Sequence, residues 1–132
     1  MTRVPPAPVR AWLLLLLADL VCVLVFAAAG KGSHEAGASE LVVLAIVWPY
    51  AVGVLLAHVG LLWRGGSPAR GRPDGVVVLV VTYVVGMVLR VASGRGIAVG
   101  FLVVAAIFLA LTMLGWRALA HLVARRRSGA SA

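Results

Sequence analysis

Charge is scarce in this sequence, and negative charge is scarcer still. Among 132 residues only Asp19, Glu35, Glu40 and Asp74 are acidic, against 12 Lys and Arg, and charged residues make up 12% of the chain. A soluble domain carries about twice that share, so too few charges are present to coat a surface facing water. Cysteine is nearly absent. Cys22 stands alone in an apolar run, which excludes an internal disulfide and gives no metal-site spacing; it reads as a small buried hydrophobe. Also missing are a Cys/His metal set, a Gly-rich phosphate loop after a strand, and a nucleophile elbow. No serine or histidine has a matched carboxylate at convincing spacing. Neither a cofactor nor an enzymatic activity is expected.

What the chain has instead is hydrocarbon. Hydrophobic residues make up 63% of it, with a mean hydropathy of +1.10. They fall in four runs, at roughly 11–29, 41–63, 76–93 and 97–119, each near the roughly 20 residues that cross a hydrocarbon core of about 30 Å. Spanning segments must satisfy their own backbone, so these runs are read as helices even where "VVVLVVTYVV" would suggest a strand in water. The fold class is therefore all-α: a bundle of four transmembrane helices. The transmembrane domain covers residues 11–123, between a Pro-rich basic arm at 1–10 and a basic tail at 124–132. The first run, with its long apolar stretch and Asp19, is expected to be an uncleaved anchor rather than a signal peptide.

Arginine placement sets the threading. With the N-terminus inside, the inner side holds Arg3, Arg10, Arg64, Arg70, Arg72, Arg117, Arg125, Arg126 and Arg127, and the outer side holds Lys31 and Arg95. That asymmetry predicts both termini in the cytoplasm of a multi-pass cell-membrane protein. Basic residues gathered in the breaks between apolar runs orient a membrane protein; they do not make a nucleic-acid site. Trp12, Trp63 and Trp116 fit an inner aromatic belt, and His58 and His121 fall near the inner boundary.

Several polar groups need a reason. Asp19 lies near the middle of the first run, where an ionised carboxylate costs roughly 2.5–3.5 kcal/mol on the insertion scale. It must face the bundle, either protonated or paired, and helical spacing puts Cys22, Val23 and Phe26 on its face. The third run carries a second polar stripe, Thr82, Gly86, Arg90 and Ser93. Arg90 could snorkel to the interface, pair with Asp19, or meet Glu35 at an outer mouth. Asp19, Thr82 and Arg90 form a candidate intramembrane polar site, with Ser33, His34 and Glu35 as its candidate mouth. His34 there reads either as a titrating gate or as a solvated helix-end residue. Gly53, Ala57, Gly86 and Gly100 are expected helix-packing positions.

The patterns D-x6-F-x3-G-[KR]-x-S-H from Asp19 to His34, W-P at Trp48-Pro49, T-x3-G-M-x-L-R from Thr82 to Arg90, and G-W-R at Gly115–Arg117 resemble one family. It consists of small four-helix prokaryotic membrane proteins catalogued only as a domain of unknown function. The resemblance covers about residues 12–120 and implies an integral membrane protein without adding an activity. The residues leave two functions open. One is binding or passage of a small ion or solute through the polar site, in a homodimer because four helices leave little room for a channel. The other is a non-transporting subunit that binds a partner membrane protein or a lipid head group.

Overall fold

A computed structural model describes residues 9–34, 40–65, 74–96 and 98–130, in which the four apolar runs form four helices. These are α1 Val9–His34, α2 Glu40–Arg64, α3 Val76–Ala92 and α4 Val99–Ala130. No strand occurs among the described residues. The valine-rich α3 is helical throughout, as a segment without water to satisfy its backbone must be. Three helices are long and apolar enough to cross a membrane, and α3 is shorter. Its 17 residues rise about 25 Å at about 1.5 Å each.

Glu35 lies outside the described residues, as do 1–8 and most of the linker between α2 and α3. Ser33 and His34 close the backbone of α1. The fourth helix runs further than its expected end near residue 119. It continues through Arg125–Arg127 to Ala130, because the stretch after Arg117 is rich in Ala, Leu and Arg, all good helix formers.

The turn between α3 and α4 is built on Gly94, which takes φ +84. Gly94 N–H donates to the Val91 carbonyl at 3.0 Å and Arg95 N–H to that of Arg90 at 3.1 Å. These two bonds form a Schellman cap, and the left-handed position needs glycine.

Pairs of side chains fix the direction and level of each helix. Asp19 and Phe26 of α1 meet His58 and Tyr50 of α2 respectively. Moving outward along α1 therefore moves backward along α2, and the two are antiparallel. Asp19 and Phe26 likewise meet Arg117 and Phe108 of α4. Tyr50 in turn donates to the Met87 sulfur of α3. The helices run up, down, up, down, with Phe26, Tyr50, Met87 and Phe108 on one level and Asp19 about 10 Å away on α1.

The bundle is apolar outside as well as inside. Leu13, Leu14, Leu17, Val21 and Leu24 of α1 are all exposed, and comparable residues line the outer faces of α2, α3 and α4. Soluble monomers rarely show contiguous apolar patches beyond a few hundred Å². Asp19, His58, Thr82 and Arg117 face inward.

Small residues let α2 and α3 approach closely. A Cβ added to Gly53 would lie 2.9 Å from the Thr82 Cα and carbonyl oxygen, and one added to Gly86 would strike the Tyr50 ring. Ala57 is also buried. Gly100 differs from its expected packing role: it is exposed and nothing lies within 4 Å of an added Cβ, because it lies on the outer side of a turn whose inner side is Phe101, packed on Phe26 and Arg90. Gly53→Ala should therefore destabilise the protein by about 1–3 kcal/mol through overpacking against backbone. Gly100→Ala should be neutral or slightly stabilising. Thermal unfolding of both variants in detergent checks the contrast.

Candidate functional site: a saturated carboxylate

Asp19 is fully buried. Its Oδ1 accepts from Trp116 Nε1 at 2.9 Å and from Arg117 Nη1 at 2.8 Å. Its Oδ2 accepts from His58 Nε2 at 2.8 Å and from Arg117 Nη2 at 2.7 Å. An ionised carboxylate offers about four lone-pair positions, and here all of them are taken from within the chain. The Arg117 contact is bidentate, the geometry that gives a charge-assisted pair its strength and direction. Arg117 is itself fully buried, and its guanidinium lies 4.4 Å from the centre of the Trp116 ring.

The local form of α4 brings these groups to Asp19. Ala105, Leu109, Met113 and Arg117 are its buried residues, each four after the last. In a regular α-helix a step of four drifts about 40° around the axis. A π-helical segment at Ala110–Leu114 has a wider turn and offsets that drift. The wider turn disturbs the backbone ladder, and side chains compensate. Thr112 Oγ1 donates to the Phe108 carbonyl at 2.9 Å, and Arg117 Nη1 donates to the Met113 carbonyl at 2.9 Å. Arg117 thus secures its own helix and the carboxylate of α1 together.

His58 donates through Nε2, since the ionised carboxylate can only accept. Its ring stands edge-on to Trp12, with centroids 5.8 Å apart. Its Nδ1 is buried without a partner among the described residues, as is Thr82 Oγ1.

The expected trio does not gather. Asp19 turns inward with Cys22, Val23 and Phe26, and Thr82 and Gly86 also face the interior. Arg90, however, sits at the other end of the bundle. Its Nε donates to the Gly96 carbonyl at 3.2 Å, and its guanidinium covers the Phe101 ring at 4.0 Å. Met87 lies on the level of Phe26 and Tyr50, about 10 Å from that of Asp19, and Arg90 lies nearly a turn beyond Met87. Neither Arg90 nor Thr82 bonds Asp19. The side chains of Ser33, His34 and Glu35 lie outside the described residues.

Sequence pattern alone gives three residues of the cluster other roles: Arg117 an inner-side charge, Trp116 part of an aromatic belt and His58 a place near the inner boundary. The signal that could have found Arg117 is the apolar stretch "ALAHLVA" after it. That stretch places Arg117 inside its run, so Arg90 and Arg117 were both available as partners for Asp19.

A family model described as "Protein of unknown function (DUF3054)" matches residues 16–120. The chain belongs to the DUF3054 family. That match spans the whole Asp19 cluster, from α1 to Arg117. No curated protein and no solved structure matches the DUF3054 chain.

Breaking a buried ion pair from one side costs roughly 3–5 kcal/mol, whereas replacing both partners with apolar groups is nearly neutral. Asp19→Leu and Arg117→Leu should each cause a large loss of thermal stability in detergent, and the double variant should regain most of it. Arg90→Leu should change stability by less than about 1 kcal/mol. Trp116→Phe removes one of the four bonds to the carboxylate and should cost about 1–3 kcal/mol.

Proposed function

We propose that this chain is a multi-pass cell-membrane protein with both termini in the cytoplasm. It binds a partner at its lipid-facing side and passes no solute through its interior. One observation carries this reading: every acceptor position of Asp19 is filled by Arg117, His58 or Trp116. A carboxylate that carries an ion must exchange its ligands, and one held by a bidentate arginine in a dry contact has none to spare. Two concavities of the surface support the same reading. Both are open apolar grooves on the outer surface of the helices, and neither is lined by Asp19. This reading needs no dimer to complete a channel.

The cytoplasmic placement of the termini rests on the arginine asymmetry. Cysteines introduced by Ala36→Cys, Arg70→Cys and Ser128→Cys, each combined with Cys22→Ala, report it. Position 36 should react with a membrane-impermeant thiol reagent from outside, and positions 70 and 128 only from the cytoplasm.

One observation favours a second reading, passage of protons. His58 Nδ1 is buried and unpartnered while Nε2 is bonded to Asp19, so the ring could take a proton at one nitrogen beside a carboxylate. Flux across liposomes containing the purified protein separates the two readings. On the binding reading, proton and potassium flux stay at the level of empty liposomes. A proton flux that His58→Ala abolishes would establish the second reading in its place.

A further inference from the structure

The outer surface of α4 carries a groove that begins at the clamp itself. Trp116, Leu119, Ala120, Val123, Ala124 and Arg127 line an open trough of about 460 Å³. They recur at helical steps of three and four, so they form a single stripe along the helix. Ala120 and Ala124 supply the hollow, and Arg127 is the only charged group in the lining. A second open groove of about 430 Å³ adjoins the same Trp116 from the α1 side, along Leu14, Leu17, Ala18 and Val21. Trp116 is therefore the wall between this apolar surface and Asp19, to which its indole N–H is bonded.

We infer that the α4 groove binds one chain of an anionic phospholipid, with its phosphate at Arg127 and its acyl chain lying over Ala124, Ala120 and Trp116. Three features point to this occupant. From Trp116 to Arg127 the helix rises roughly 16 Å, which matches one leaflet of a hydrocarbon core of about 30 Å. The polar end of the stripe joins three consecutive arginines, Arg125, Arg126 and Arg127, all exposed, and such a cluster at a helix end attracts anionic head groups. The same charges disfavour a second copy of the chain. Two α4 helices joined in parallel along this stripe would set one arginine run against the other. Two other basic groups at this end are less available: Arg117 is committed to Asp19, and Arg64 donates to Asp74 at 3.3 Å. A bound acyl chain also rests on the outer face of Trp116 and holds its indole against the carboxylate, so lipid binding stabilises the clamp.

This inference rests on the binding reading above. Liposome flux would refute that reading whether or not lipid is retained. Loss of lipid selectivity without flux would refute only the present proposal.

The test uses the full chain in detergent, titrated with dioleoyl phosphatidylglycerol or dioleoyl phosphatidylcholine. Retained lipid is read by native mass spectrometry and stability by thermal unfolding. The wild type should retain phosphatidylglycerol in preference and unfold at a higher temperature when it is present. Arg127→Gln should weaken retention about fivefold, as expected for one basic residue near a head group. Ala120→Phe, at an exposed position, fills the trough without changing charge. It should weaken retention and abolish the thermal shift. Arg95→Gln, at the opposite end, should change neither. Three results would overturn the proposal: equal retention of the two lipids, loss of retention with Arg127→Gln but not with Ala120→Phe, or a wild-type dimer that Ala120→Phe dissociates. The second would reduce the site to unspecific charge, and the third would make the groove a contact between copies.

Discussion

An ionised carboxylate in hydrocarbon has no water to turn to, and the bundle is organised around meeting that demand at Asp19. Arg117 supplies the opposite charge in bidentate geometry, and His58 and Trp116 supply the two remaining donors. Burial of the pair is costly in itself. Its geometry compensates because no lone pair is left unsatisfied, which is the condition under which a buried pair holds. The cluster joins α1, α2 and α4; α3 stands outside it, tied by the Tyr50 bond to the Met87 sulfur and the Tyr83 bond to the Leu102 carbonyl and by close packing. Gly53 lies against the Thr82 backbone and Gly86 against the Tyr50 ring. Polar directionality and small-residue packing thus divide the bundle between them, as expected where helices have no hydrophobic drive to associate.

The arrangement narrows what the molecule can do. Its charged interior is internally neutral and closed, and its grooves are on the outside. Among the described residues, basic groups open to the surroundings lie at the two ends: Arg95 beside the α3–α4 turn, and Arg10 and the arginine run of α4 at the other end. That distribution suits the proposed role, in which the protein meets other molecules along its surface and at the end that carries the arginine run.

Much of the fold could be read from the sequence because membrane solvation leaves few choices. Four apolar runs gave four helices, and the Val-rich α3 is helical despite its strand-like composition. The inward turn of Asp19, Thr82 and Gly86 followed from helical spacing. The identity of the partner of Asp19 did not. Two arginines lay inside apolar runs, and choosing between them requires the relative level of the helices. That level is set by contacts such as Phe26 with Tyr50 and Phe108. Arg90 is nearer in sequence yet lies at the far end, because α3 runs outward parallel to α1 and Arg90 is in its last turn. His58 was hidden for a related reason. Its position near the end of α2 suggested the interface, whereas Asp19 hangs near the middle of α1 and the antiparallel packing brings the two level. The π-helical turn that aims Arg117 leaves no recognisable mark in "ALTML".

The pairing of Asp19 with Arg117 joins residues 98 positions apart, in the first helix and the last. During synthesis α1 reaches the bilayer long before its counter-charge exists, and of its three partners only His58 precedes the final helix. The carboxylate must spend that interval protonated, held by the insertion machinery, or bonded to the histidine alone. The arrival of α4 is therefore also the moment at which Asp19 gains its counter-charge. A nascent chain that stops before α4 is left with an acid in its first helix that has His58 as its one remaining partner of the three.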